Sequence, residues 1–314
     1  MKTLRLQSPA KLNLFLKVRN KRADGYHNLV TLFERIDLCD TLQLTLRRHG
    51  RIRILCHHPD VPTGPKNLVY KVARLLKKNF SVKEGIDIKI TKRIPLAAGL
   101  GGGSSNAAAV LLGLNKLWKL SLTKKDLLAY GRRIGSDVPF FLSDCRWAIG
   151  TQRGDKIRKL SLKVKLWHVL VVPKLKVYTR EIFGAFYRQS TGPALSFSGL
   201  GAATDHASRQ TKPPYTNILT KPGVGVNILH RALEKNDLPT IGGLLYNDLE
   251  TTIVRSHPNL LKIKEKLKTL KTLGVTFSGS GPAVFALVRS KRLAQEARTV
   301  LKSHGQGVFV VRTF

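Results

Sequence analysis

The chain has 314 residues, 42% of them hydrophobic, which is enough for a sizeable core shared between two packed units and argues against intrinsic disorder. Its 55 Lys and Arg against 19 Asp and Glu leave a net charge of +36, a field that attracts phosphates of every kind, including nucleotides, RNA and acidic membranes. Three cysteines, an odd count without a CxxC pair, argue against a disulfide framework and point to a reducing compartment, for which we expect the cytoplasm.

No uninterrupted apolar stretch follows Met1, so no signal peptide is expected, and no segment has the length to span a bilayer. Residues 4–18 read as a strand, with Leu12, Leu14 and Leu16 alternating. Gly25 marks a turn, and strands are expected near 29–38, 42–47 and 51–56. Cys56-His57-His58 is a metal cluster in appearance only, because neighbours on a strand face opposite ways and no second ligand pair follows. Residues 67–80 carry Leu68, Val72, Leu75 and Leu76 at helical spacing, and 85–91 alternate as a strand.

Next comes a loop with Gly99, Gly101, Gly102 and Gly103, followed by Ser104 and Ser105 and a helix with Ala107, Leu111, Leu114 and Trp118 on one face. Either serine suits its N-cap. Glycines open backbone conformations closed to other residues and leave N–H groups free for a phosphate, while a helix N-terminus adds donors and a favourable dipole. The two hydroxyls suit phosphate oxygens or Mg²⁺. No Gly-Lys-Ser/Thr occurs, so this is not a Walker loop, and Ser104 stands where a dinucleotide fingerprint needs its third glycine.

A further helix is expected at 123–134. Asp137 follows it between Gly135 and Pro139; taken alone it suits a helix cap better than a catalytic base. Lys11 lies among apolar neighbours on the first strand, and an inward-facing ammonium needs a partner, most naturally a carboxylate. A strand at 166–172 opens a second unit. Residues 187–225, rich in Ser, Thr, Gly and Pro, read as a long loop or insertion. Helices at 226–236, 257–272 and 291–303 and strands at 283–288 and 307–312 complete an α+β chain. Lys262, Lys264, Lys266, Lys268 and Lys271 interleave with Leu260, Ile263, Leu267 and Leu270, which makes them the solvated face of a helix.

Several stretches, in this order, resemble the GHMP kinase superfamily. They are Ser8-Pro-Ala-Lys-Leu-Asn-Leu14, Arg22-Ala-Asp-Gly-Tyr-His27, the loop at 95–108, Gly135-Ser-Asp-Val-Pro139, Asn247-Asp-Leu-Glu250 and Ser278-Gly-Ser-Gly-Pro282. Asp24-Gly25-Tyr26-His27 narrows the likeness to the branch that acts on 4-diphosphocytidyl-2-C-methyl-D-erythritol. The resemblance implies a GHMP kinase fold. Residues 1–160 would form an ATP-binding domain like domain 2 of ribosomal protein S5, and 161–314 a ferredoxin-like domain, with ATP and Mg²⁺ between them. It implies ATP-dependent phosphorylation of the substrate's 2-hydroxyl in non-mevalonate isoprenoid precursor synthesis.

The same resemblance assigns roles. Asp137 is the base and Lys11 its charged partner. Asn13 orients the acceptor, His27 bonds the cytosine with Tyr26 beside it, and Phe183 stacks on that base. Asn67 lies near the adenine, and Pro95, Ala98, Gly99, Leu100, Gly101, Gly102, Gly103, Ser104 and Ser105 cradle the nucleotide. The 278–282 turn, otherwise a plain hairpin, would close over the phosphates. Asn247-Asp-Leu-Glu250 suits a helix cap equally well, Phe33 reads as core, and Mg²⁺ ligands stay unassigned. Ala97 and Gln152 stand where glycine is usual. The small-molecule partner expected is a cytidyl diphosphate, with no membrane, no nucleic acid despite the charge, and a monomer or weak homodimer. Two other readings remain: a homoserine- or mevalonate-type kinase, and a basic RNA-binding protein.

Overall fold

The computed structural model describes residues 2–191, 224–301 and 306–314. Most of the stretch expected as a long loop, 187–225, therefore lies outside the described residues; its first five residues continue a helix and its last two begin another.

A seven-stranded sheet forms the first layer. It is built from β1 (Thr3–Lys21), β2 (His27–Arg47), β3 (Ile52–Cys56), β4 (Gly85–Thr91), β5 (Trp147–Gln152), β6 (Lys156–Leu160) and the short β8 (Tyr246–Asn247), in the order β3-β4-β2-β1-β8 with β5 joining β2 to β6. A second sheet of four antiparallel strands runs β11 (Gly307–Arg312), β7 (Trp167–Val172), β10 (Val284–Val288) and β9 (Gly274–Phe277). β8 pairs in parallel with β1, so a segment from late in the chain is stitched into the first sheet.

β1 is buried on both faces from Ser8 to Leu16, because the second sheet packs on one side and a helix on the other. Leu12 and Leu14 enter a core shared by the two sheets, with Ile36, Leu170, Phe285 and Val311. The alternate positions, Lys11 and Asn13, are buried too, on the opposite face by the two-residue repeat of a strand. The two strands expected at 29–38 and 42–47 are one. The polar run between them is a bulge: the pairing with β1 jumps from Pro9↔Cys39 to Ala10↔Ile36 and lets Asp40 turn inward.

Helices α1 (Leu68–Asn79) and α3 (Lys124–Ile134) lie within one residue of their expected ranges, each held by a side-chain cap, Asn67 and Thr123. α2 (Gly102–Leu117) differs from expectation. It starts at Gly101 (φ +69°) rather than at a serine, and it is buried continuously from Ser105 to Leu111 instead of being one-sided, because it runs between β1, α1 and the short α4 (Val138–Leu142). α5 (Thr179–Thr191) follows β7, and helices Val224–Glu234, Leu238–Gly243, Glu250–Ser256, Asn259–Lys268 and Lys291–Leu301 cover the second sheet and the junction. Leu260, Ile263 and Leu267 are buried while Lys262, Lys266 and Lys268 are exposed, as the lysine spacing leads one to expect. No helix among the described residues is long and apolar enough to cross a membrane.

Candidate active site

A cavity of about 1090 Å³ opens between the two sheets, walled by the glycine loop, β1, the 24–27 turn, α5 and the 278–282 turn.

The glycine loop is left-handed at every second residue: Ala97 (φ +52°), Gly99 (+78°) and Gly101 (+69°). Such alternation turns successive N–H groups to one side and makes a concave anion cradle. The loop then runs into α2, whose first-turn donors at Gly102, Gly103 and Ser104 have no partner inside the helix. Its position is set by β1, since Lys11 N–H donates to Leu100 O at 3.0 Å. The 278–282 turn closes against it from the second sheet. A Cβ on Gly99 would lie 2.0 Å from Ser278 O, and one on Gly281 2.2 Å from Gly99 N. Only bare backbone fits there. Ser278 Oγ donates to Gly99 O at 3.2 Å, and Asn247 Nδ2 donates to Phe277 O (3.0 Å) and Gly279 O (2.8 Å). Asn247 also accepts from Leu249 N–H just ahead of the helix Glu250–Ser256, so it braces this turn without capping that helix.

Lys11 and Asp137, far apart in sequence, face each other here at 3.9 Å. Lys11 is buried, its ammonium donating to Asn13 Oδ1 and lying 5.7 Å from the centre of the Phe33 ring. Asn13 in turn donates to Thr31 Oγ at 2.7 Å, which fixes its orientation. Burial pulls the Lys11 pKa below the usual lysine value, and the Asp137 charge partly restores it. Asp137 occupies the N-cap position of α4, yet its side chain makes no capping bond and remains partly open to the cavity. Asp137 therefore does not make the cap that its position suggests, and its carboxylate faces Lys11 in the cavity instead.

At the other end, His27 is buried with its ring 5.6 Å from that of Phe183 and 5.8 Å from that of Tyr187. Its Nε2 has no hydrogen-bond partner among the described residues, so a polar atom is held ready inside an aromatic slot. Desolvation, and to a lesser extent the Lys21 charge, pulls its pKa below the usual histidine value. Tyr26 is 52% exposed at the mouth, with the Arg153 guanidinium 5.0 Å from its ring centre.

Of the residues expected from sequence, Lys11, Asn13, Tyr26, His27, Pro95, Ala98, Gly99, Leu100, Gly101, Gly102, Gly103, Ser104, Asp137 and Phe183 all line this cavity. Two do not. Ser105 turns away into the β1–α2 packing, where its hydroxyl meets Ser8 Oγ at 2.7 Å, and its N–H is spent on Gly101 O. Asn67 caps α1 with its side-chain oxygen and donates to Pro62 O with its nitrogen, while its neighbour Leu68 lines the cavity. Phe33 is core as read, though its edge also reaches the cavity. Ala97 and Gln152 (φ +59°) keep the left-handed backbone that glycine would hold at those positions.

Sequence reasoning missed Lys92. Its buried ammonium lies 3.0 Å from Asp40 and next to Gly102, beneath the loop. The signal was the bulge that turns Asp40 inward, and it was hidden because 39–41 reads as a break between the strands expected at 29–38 and 42–47.

The GHMP kinases N terminal domain matches residues 67–144, and the GHMP kinases C terminal domain matches residues 229–307. The chain is 38% identical over 310 residues to the 4-diphosphocytidyl-2-C-methyl-D-erythritol kinase of Exiguobacterium sibiricum, covering 99% of this chain and 98% of that protein. It is 37% identical over 306 residues to the enzyme of the same name from Bacillus velezensis, covering 98% and 95%. Among solved structures it resembles a 4-(cytidine 5'-diphospho)-2C-methyl-D-erythritol kinase (TM-score 0.74, 31% identity, 98% and 99% covered). A homoserine kinase from Cytophaga hutchinsonii, at 19% identity and TM-score 0.68 over 99% and 94% of the two chains, shares the fold.

Proposed function

This chain belongs to the 4-diphosphocytidyl-2-C-methyl-D-erythritol kinase family of GHMP kinases, and from that we propose that Asp137 and Lys11 carry out its phosphoryl transfer. The enzyme uses ATP to phosphorylate 4-diphosphocytidyl-2-C-methyl-D-erythritol in isoprenoid precursor synthesis. The observation that supports the assignment best is the facing pair at 3.9 Å, set in one cavity between the glycine loop and the His27–Phe183 slot.

In this reading the loop amides of residues 99–104 hold the polyphosphate of ATP and the aromatic slot holds the cytosine, with the open His27 Nε2 bonding its edge. The 2-hydroxyl then lies between Asp137 and the terminal phosphate. Asp137 accepts the hydroxyl proton as the oxygen–phosphorus bond forms and the bond from that phosphorus to the bridging oxygen of ADP breaks. The Lys11 ammonium offsets the charge spreading over the transferred group, and Asn13 keeps Lys11 aimed.

Among the described residues no three acidic, His or Cys side chains converge as a metal cage. That suits Mg²⁺, which arrives largely through phosphate oxygens and water. The Ser104 hydroxyl, turned toward Gly135 beside Asp137, is the protein oxygen we assign to it. Bound there, the ion would supply further charge neutralisation. We assign residues 1–160 to the ATP-binding domain and 161–314 to the second; every strand of the larger sheet except β8 falls in the first stretch.

A coupled ADP-release assay tests the substrate. Turnover with the cytidyl diphosphate should exceed that with homoserine or mevalonate by orders of magnitude, and comparable turnover with either alternative would reject the reading.

A further inference from the structure

The cationic side chains lining the cavity are Lys11, Lys21, Lys92, Arg153, Arg180 and Arg188. Most of them have a counterpart. Lys11 faces Asp137, Lys92 lies 3.0 Å from Asp40, and Arg153 pairs with Asp155 at 2.6 Å. Lys21 sits 4.2 Å from the centre of the Tyr187 ring. The acids of the lining are also taken, since Asp24 is bound by Arg22 at 3.0 Å and Asp137 by Lys11. Arg180 and Arg188 differ, for among the described residues neither has an acidic or aromatic partner.

The two arginines stand two turns apart on α5, with Gly184 midway, so all three share one face of the helix. That face lines the cavity beside Phe183, whose ring flanks His27. Arg188, exposed like Arg180, has its Nη1 3.7 Å from where a Cβ on Gly184 would be, so its guanidinium lies back along the helix toward Arg180. Two like charges with no counter-charge among the described residues repel each other along one wall and match a ligand carrying two negative charges. Guanidinium forks meet phosphate oxygens two at a time, which suits a diphosphate better than an isolated charge. The polyphosphate of ATP is provided for by the glycine loop and Lys92, and α5 lies instead along the base slot.

We infer that Arg180 and Arg188 form a clamp on α5 for the diphosphate of the cytidyl substrate, separate from the cradle that takes ATP. The inference rests on reading the His27–Phe183 slot as the cytosine site. It makes the diphosphate a recognised element of the substrate, so that cytidine alone fills the slot without engaging the clamp.

Binding of CDP and of cytidine to the full chain, measured by calorimetry at one ionic strength, tests it. The parent protein should bind CDP at least about 30-fold more tightly than cytidine, as two charge-assisted contacts imply. In R180Q/R188Q that preference should fall about tenfold or more, with cytidine affinity kept within about twofold. R180K/R188K, which keeps the charge and loses the fork, should lie between the two. An unchanged preference in R180Q/R188Q overturns the clamp and leaves the base slot standing. Equal losses for CDP and cytidine overturn it as well, since they mark a structural effect. A parent that binds neither ligand overturns both the clamp and the slot.

Discussion

Burying the Lys11 ammonium beside Phe33 and Gly279 removes hydration, and Asp137 restores only part of what is lost. Since burial lowers the pKa, Lys11 loses its proton at a lower pH than a free lysine, whose value is about 10.4. The alkaline limb of kcat/KM, which reports the free enzyme, should therefore fall below that value, and the residual activity of Asp137→Asn should show the limb lower still, because the group that raises the pKa is gone. A limb that stays in place would show that Lys11 is not the titrating group. Asp137→Asn should itself cost roughly 10²–10⁴ in kcat, the usual worth of a positioned base, and near-full ATP-dependent turnover would refute its role. His27→Ala should raise KM for the cytidyl substrate well above any change in KM for ATP; equal changes would disconnect the imidazole from the base. These residue types were legible in the sequence one by one. Their meeting was not, since only the packing of α4 against α2, which itself lies on β1, carries Asp137 to Lys11.

At the scale of elements, periodicity marks α1 and α3 because each has one wet and one dry face for the pattern to record, and β4 because its three isoleucines alternate with Asp87 and Lys89. It misleads where that contrast vanishes. α2 is dry nearly all round, so its true start is set by a left-handed glycine rather than by serines, and β2 crosses a bulge that looks like a break. α5 was masked by the polar composition that follows it, although it carries one wall of the cavity. The contact between the 95–104 loop and the 278–282 turn allows a sharp test. Gly99→Ala places a methyl 2.0 Å from Ser278 O, and Gly281→Ala places one 2.2 Å from Gly99 N. Each should reduce kcat/KM for ATP at least tenfold by forcing the two segments apart. Gly25→Ala, with open space around its Cβ, provides a control for the strain of a positive φ alone. Wild-type kinetics in both loop variants would show that the contact is dispensable.

Across the whole molecule, the two sheets are joined by more than apolar packing. Glu34 on β2 and His168 on β7 meet at 2.8 Å with neither side chain exposed, and Thr313 donates to the other Glu34 oxygen at 2.6 Å. Removing one member of such a pair leaves the other buried without compensation. His168→Ala should destabilise the protein by about 3–5 kcal/mol in urea unfolding, whereas the Glu34→Leu, His168→Leu double variant should lose less. A single variant as stable as the parent would show that water reaches the pair. The α+β class could be read from the order of elements. The link through β8, a two-residue strand, could not, because so short a pairing leaves no periodic trace.

The bare-backbone seam between Gly99 and Gly281 also constrains how such an enzyme can be rebuilt. A chimera that grafts the C-terminal half of another GHMP kinase onto this N-terminal half would have to bring a side-chain-free residue to each point of that seam. Inheritance of the halves is thereby tied together, and a recombinant that mates a glycine on one side with a larger residue on the other would be assembled yet idle.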